Sequence, residues 1–135
     1  MKYLLDTNTC INCMRARGNP LVPARLATHP PADIRLCAVV LAELRYGAEA
    51  SGNAAKEQAK VDAFAVQFVS LPFDDVAARL FGEIRHALMA AGKPIGPYDT
   101  MIAAIALVHD LTLVTHNTNE FSRVAGLKLE DWEIP

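Results

Sequence analysis

Five side chains offer oxygen donors where an α/β fold presents its chemistry: Asp6, Glu43, Asp99, Asn117 and Glu120. Asp6 follows the apolar run Tyr3-Leu4-Leu5 directly. A carboxylate at the carboxyl end of a buried strand lies where open α/β sheets place their ligands. At helical spacing Glu43 shares a face with Val40, Leu44 and Gly47, beside a buried stripe, where a glutamate needs a cation or hydrogen-bond partners. Asp99 falls in the first turn of a helix that follows Gly96-Pro97, and Asn117 follows Leu113-Val114-Thr115 with Glu120 three residues on. Taken singly, each has an ordinary explanation. Asp6 is a good N-cap, a helix dipole favours Asp99, a loop start suits Asn117, and Glu120 can be solvated. Together these explanations combine poorly, because independent caps need not fall at one edge of one sheet, whereas metal ligands must. Clustered carboxylates repel unless a divalent cation neutralises them. An all-oxygen set suits Mg²⁺ or Mn²⁺ rather than zinc, and the chemistry such ions support at phosphoryl groups is phosphodiester hydrolysis.

The elements that must carry these residues follow from the apolar pattern. Residues 2–6 and 34–38 read as buried strands, 111–115 as a third, 127–129 as a final edge strand, and 69–71 as a short strand. Helices are expected from about Thr7 to Arg17, Leu21 to Thr28 and Val39 to Ala50, and again, after Ser51-Gly52-Asn53, to about Phe68. Asp74 can cap a long helix with Val76, Leu80, Ile84 and Leu88 as one stripe, closed by Gly92 and Pro94. The helix Tyr98–His109 is apolar nearly all round, which predicts burial at the centre. Strands alternating with helices predict a three-layer α/β/α fold with a central, mostly parallel sheet of four to five strands. At 135 residues the chain is expected to form a single domain, 1–135.

Composition narrows the rest. Apolar residues make up 52% and charged ones 21%, an ordinary globular balance, and a net charge of −2 gives no global attraction for a polyanion. Attraction must then come from local basic groups or bound cations; Arg15, Arg17, Arg45, Lys93 and Arg123 are the candidates for contacting phosphates. The amino-terminal apolar run is too short for a signal peptide and no segment approaches membrane-spanning length, so a cytoplasmic address without membrane attachment is expected. Three cysteines, an odd number, argue against a disulfide framework. Cys10-Ile11-Asn12-Cys13 matches a redox pair formally, but Cys10 lies past the first helical turn, where thiol activation is strongest, and packing is the expected role. Among the histidines only His116, beside Asn117, can reach the acids. The absence of a Gly-x-Ser-x-Gly elbow and of a phosphate-cradling glycine loop excludes serine hydrolases and P-loop nucleotide binders.

The segments Leu4-Leu5-Asp6-Thr7-Asn8, Val39-Val40-Leu41-Ala42-Glu43-Leu44-Arg45-Tyr46-Gly47, Pro97-Tyr98-Asp99-Thr100-Met101-Ile102-Ala103-Ala104, Leu113-Val114-Thr115-His116-Asn117-Thr118-Asn119-Glu120-Phe121 and the closing 124–132 stand in this order along the chain, and together they resemble a PIN domain of the VapC ribonuclease-toxin type. The resemblance implies a Mg²⁺-dependent endoribonuclease, with Mn²⁺ able to substitute. Asp6, Glu43 and Asp99 carry over as metal-binding acids, and Thr7 and Thr115 as auxiliary hydroxyls. Many family members have aspartate where this chain has Asn117, so Glu120 is the substitute expected to complete the site. The resemblance further implies an RNA substrate, a homodimer and neutralisation by a VapB antitoxin. One subgroup points to tRNA, although the residues themselves leave ribosomal RNA open. Two other readings stand beside this one: a metal-dependent phosphohydrolase acting on a small phosphate ester, and a catalytically inactive PIN-like module that only binds a protein or RNA.

Overall fold

The computed structural model describes residues 1–135 and centres on β1 (Tyr3–Leu5), which pairs in parallel with β2 (Ile34–Cys37) on one side and β4 (Thr112–Val114) on the other. β3 (Val69–Leu71) extends the sheet beyond β2 and β5 (Lys128–Glu130) beyond β4, giving the order β3-β2-β1-β4-β5 with every pair parallel. Adjacent residues of a strand face opposite sides of a sheet. Leu4 and Leu5, and likewise Leu36 and Cys37, are all fully buried, so helices cover both faces. This is the expected three-layer arrangement, and all five strands are parallel.

The helices are α1 (Thr7–Met14), α2 (Leu21–Leu26), α3 (Ala38–Ala50), α4 (Ala54–Ala65), α5 (Asp75–Ala90), α6 (Pro97–Val108) and α7 (Thr118–Phe121). Caps placed by the chain define several starts: the side chains of Asn53 and Asp74 accept backbone N–H bonds from Lys56 and Ala77. Gly92, at φ +68°, closes α5, and the N–H of the next residue, Lys93, donates back to Leu88 O at 3.0 Å. Helix α6 is the buried centre that its composition implies, with Ile102 to Ala106 at most 1% exposed. No helix is long and apolar enough to cross a membrane.

Two expectations need correction. Helix α1 stops at Met14 rather than Arg17, because Arg15 turns extended (φ −86°, ψ 135°) and Asn12 Oδ1 accepts the N–H of Asn19 to hold the following loop. On α5, Val76 is 63% exposed and Ala77 takes its place in the buried face with Ile84 and Leu88. Steps of four residues drift by about 40° each on a helix of 3.6 residues per turn, so a stripe read as 76-80-84-88 winds off the core at its start.

The chain's last residues are fixed by an aromatic stack. Trp132, 2% exposed, lies parallel to His29 (ring centroids 5.4 Å apart) and edge-on to Tyr3 at 5.5 Å.

Candidate active site

In a parallel sheet all carboxyl ends lie at one edge, and the order places the topological switch point between β1 and β4. Asp6 follows β1 there. It is 6% exposed, its N–H donates to Val114 O at 3.1 Å, and its Oδ1 accepts the N–H of Thr9 at 2.8 Å, capping α1. The cap engages one carboxylate oxygen and leaves the other available. Glu43 extends from α3 and is half-buried; Thr7 Oγ1 donates to its Oε1 at 2.7 Å, tying the start of α1 to α3. Asp99 occupies the first turn of α6, half-buried, and is not its cap: that position is Gly96, with no side-chain bond. Past β4, the N–H of Asn117 donates to Thr115 Oγ1 at 3.0 Å, and Asn117 Nδ2 donates to Glu120 Oε2 at 3.1 Å. The amide therefore orients Glu120 and keeps its own oxygen unengaged.

Asp99 feels the charges of the other acids. Burial, followed by the carboxylates of Glu43, Asp6 and Glu120, pushes the Asp99 carboxyl up from 3.8 to about 6. No lysine, arginine or histidine pairs with Asp6, Glu43, Asp99 or Glu120; every ion pair of the chain lies elsewhere. Four converging carboxylates without a protein cation, joined by a free amide oxygen, form a donor set that fits a hard divalent ion.

A second group of ionisable side chains sits at the rim. His116 Nδ1 is 2.9 Å from Asp131 Oδ2 and 3.7 Å from Glu133 Oε2, and one ligand-capable atom from each of the three lies within 4.8 Å of the others. The hydrogen bond to Asp131, then the charges of Glu133 and Asp131, raise the imidazole pKa, so this trio satisfies itself as an ion pair. The acids at the switch point do not close to that spacing.

The basic candidates divide. Arg15 and Arg17 line a groove of about 780 Å³ shared with Ile11, Met14, Leu44 and Glu43. Arg45 is instead held by Asp62 at 2.7 Å and by Gln58, Arg123 donates to Pro94 O at 3.1 Å, and Lys93 is exposed without an ion-pair partner. Burial pushes the Cys13 and Cys37 thiols up to about 11 and the Cys10 thiol well above its ordinary value, the behaviour of packed rather than reactive cysteines. One residue at the site has no counterpart in the reading of the sequence. Thr9, 5% exposed, meets both Asp6 and β4, and nothing in the polar helix start Thr7-Asn8-Thr9 set it apart from its neighbours.

Comparison with known proteins adds an independent line. A family model described as "PIN domain" matches residues 3–127. The chain belongs to the PIN-domain family. It is 38% identical over 132 residues to the tRNA(fMet)-specific endonuclease VapC of Shigella flexneri, covering 98% of each protein. Among solved structures, the PIN domain superimposes on DNA-bound VapBC from Salmonella typhimurium with a TM-score of 0.91, at 37% identity and 98% coverage of both chains. VapBC2 from Rickettsia felis, bound to a DNA fragment from its promoter, gives 0.90 at 33% identity, with 98% and 99% covered. At this identity and coverage the likeness extends over the whole fold and to the VapC branch of the family.

Proposed function

We propose that this PIN domain is the toxin of a VapBC-type pair: an endoribonuclease, dependent on Mg²⁺ or Mn²⁺, that hydrolyses a phosphodiester of tRNA and is neutralised by a VapB antitoxin. The observation that carries the reading is the convergence of Asp6, Glu43, Asp99 and Glu120 at the sheet's switch point with no protein cation among them. The names of the relatives, a tRNA-specific endonuclease and the toxin–antitoxin complexes, support the substrate and the partner. The intact set of acids argues against an inactive binding module. The chain is taken to work as one domain, as a homodimer and in the cytoplasm.

Asp6, Asp99 and Glu120 would hold the ion, with Glu43 and the Asn117 oxygen completing or orienting its shell. A divalent cation bound there lowers the pKa of water and offsets charge building on a phosphoryl oxygen. The chain's own part is preorganisation. Thr7 fixes the rotamer of Glu43, Asn117 fixes that of Glu120, and the cap bond fixes Asp6, so little reorganisation remains at the moment of reaction. Arg15 and Arg17, the unpaired cations on the Glu43 side, would take flanking phosphates.

The test is cleavage of tRNA by purified protein with Mg²⁺, with Mn²⁺ and with chelator, comparing wild type with Asp6→Ala and Asp99→Ala. Cleavage that requires the ion and is lost in both variants is expected. Metal-independent cleavage, or activity retained in both variants, refutes the proposal.

A further inference from the structure

A threonine in a helix can return its hydroxyl to the carbonyl four residues earlier. Thr100 does so on α6, donating to Gly96 O at 2.8 Å. Thr9 does not. Its Oγ1 leaves α1 altogether and donates to Val114 O at 3.0 Å, across 105 residues of chain, while its N–H donates to Asp6 Oδ1 at 2.8 Å. One buried residue thus grips the first acid and the last carbonyl of β4. From this we infer that Thr9 is a positioning residue for the acid cluster, setting the separation between Asp6 and the corner formed by Thr115, Asn117 and Glu120.

The need for such a tie follows from how short the strands are. The β1–β4 ladder comprises only three pairs, ending at Leu5 opposite Val114. Beyond it, Asp6 and the Thr115–Glu120 turn diverge into different helices, although the charges of Asp6 and Glu120 both bear on Asp99. Two bonds span the divergence, both to Val114 O: the N–H of Asp6 at 3.1 Å and the hydroxyl of Thr9. The backbone bond survives any substitution, so only the hydroxyl is open to mutation. Being 5% exposed, Thr9 does not reach RNA and acts through Asp6. Outer partners of this kind change metal affinity by about 10- to 100-fold when removed.

The inference rests on the metal-site reading above, and the experiment separates the two. Mn²⁺ binding to metal-free protein is measured by calorimetry for wild type, Thr9→Val, Thr9→Ala and Thr9→Ser, together with single-turnover cleavage and RNA affinity. Val keeps the shape without the donor; Ser keeps the donor. The expected result is Mn²⁺ affinity lowered by about tenfold in Thr9→Val and Thr9→Ala, with RNA affinity within about twofold of wild type and cleavage slower. Thr9→Ser should restore Mn²⁺ affinity to within about twofold of wild type. A lower melting temperature with unchanged Mn²⁺ affinity in whichever of the Val and Ala variants folds reduces Thr9 to a structural residue and overturns the inference. So does a Thr9→Ser protein as impaired as the others. Wild type that binds no Mn²⁺ at all overturns the metal reading itself, and Thr9 with it.

Discussion

Replacing Asp99 by asparagine should make the metal-free protein more stable while removing its response to metal. The Asp99 carboxyl stands at about 6 instead of 3.8, with burial as the first cause and Glu43, Asp6 and Glu120 following. A folded pKa above the unfolded value means that the native state binds the extra proton between those two values, so stability falls as pH rises through that window. The penalty is absent well below 3.8 and fully developed above about 6. At about 1.36 kcal/mol per pH unit the shift alone caps the effect near 3 kcal/mol. Because Asp99 is only half-buried, solvent screening reduces it to about 1–1.5 kcal/mol. Asparagine also forfeits charge–dipole stabilisation in the first turn of α6, about 0.3–1 kcal/mol for an exposed group, but the raised pKa already shows that repulsion and desolvation outweigh it.

The clean observable is therefore the change in the Asp99→Asn minus wild-type difference between about pH 7.5 and pH 4, in which intrinsic differences between Asp and Asn cancel. In chelator, thermal melts should show the variant gaining roughly 3–6 °C on wild type between the lower and the higher pH. Adding Mn²⁺ at about 100 times its dissociation constant should stabilise wild type by about 2.7 kcal/mol and the variant by much less. If the difference is flat across pH, the four acids are not in electrostatic contact and the basis for the cation site fails. If the pH effect appears but both proteins respond equally to Mn²⁺, the acids cluster without Asp99 serving as a ligand.

Two further outcomes follow from bonds at the site and its rim. Thr7→Val deletes the 2.7 Å hydrogen bond to Glu43; slowing of cleavage by about tenfold is expected, with Thr7→Ser close to wild type, and a Val variant with full activity would remove Glu43's orientation from the mechanism. For His116, the bond to Asp131 and then the Glu133 charge raise the folded pKa above the ordinary 6.5, so its contribution is present below that value and lost as pH rises through the folded one. The stability advantage of wild type over His116→Asn should therefore be larger at about pH 5.5 than at about pH 9, and an advantage constant across pH would count against the ion pair.

What the sequence made legible and what it hid divide by range. Strands β1, β2 and β4 are written locally as apolar runs, and the acids that follow them inherit their place from the sheet's parallel order. Features set by distant partners left little trace. Arg45 looks like any cation available to a phosphate, yet Asp62 and Gln58 hold it. Trp132 packs against Tyr3 and His29, 129 and 103 residues earlier. Thr9 belongs to the same class, since the carbonyl it binds lies 105 residues away. The misplaced stripe on α5 is different: a local period was read at four residues where the helix turns in 3.6, and the error accumulated toward Val76.

Capping and the ligation proposed for Asp6 looked like competing explanations, and the geometry makes them compatible. A carboxylate has two oxygens, and the cap bond uses Oδ1 alone. That bond locks the side chain at the end of β1 and leaves the second oxygen at the switch point, with the donor N–H groups of α1 behind the carboxylate. The same economy recurs at Asn117, whose amide nitrogen orients Glu120 while its oxygen stays open. An aspartate there would offer no such donor and would add another negative charge to a cluster that, together with burial, already pushes the Asp99 carboxyl up to about 6. Asn117 and Glu120 are in that sense a single unit: the acid supplies the charge, and the amide supplies the direction in which it points.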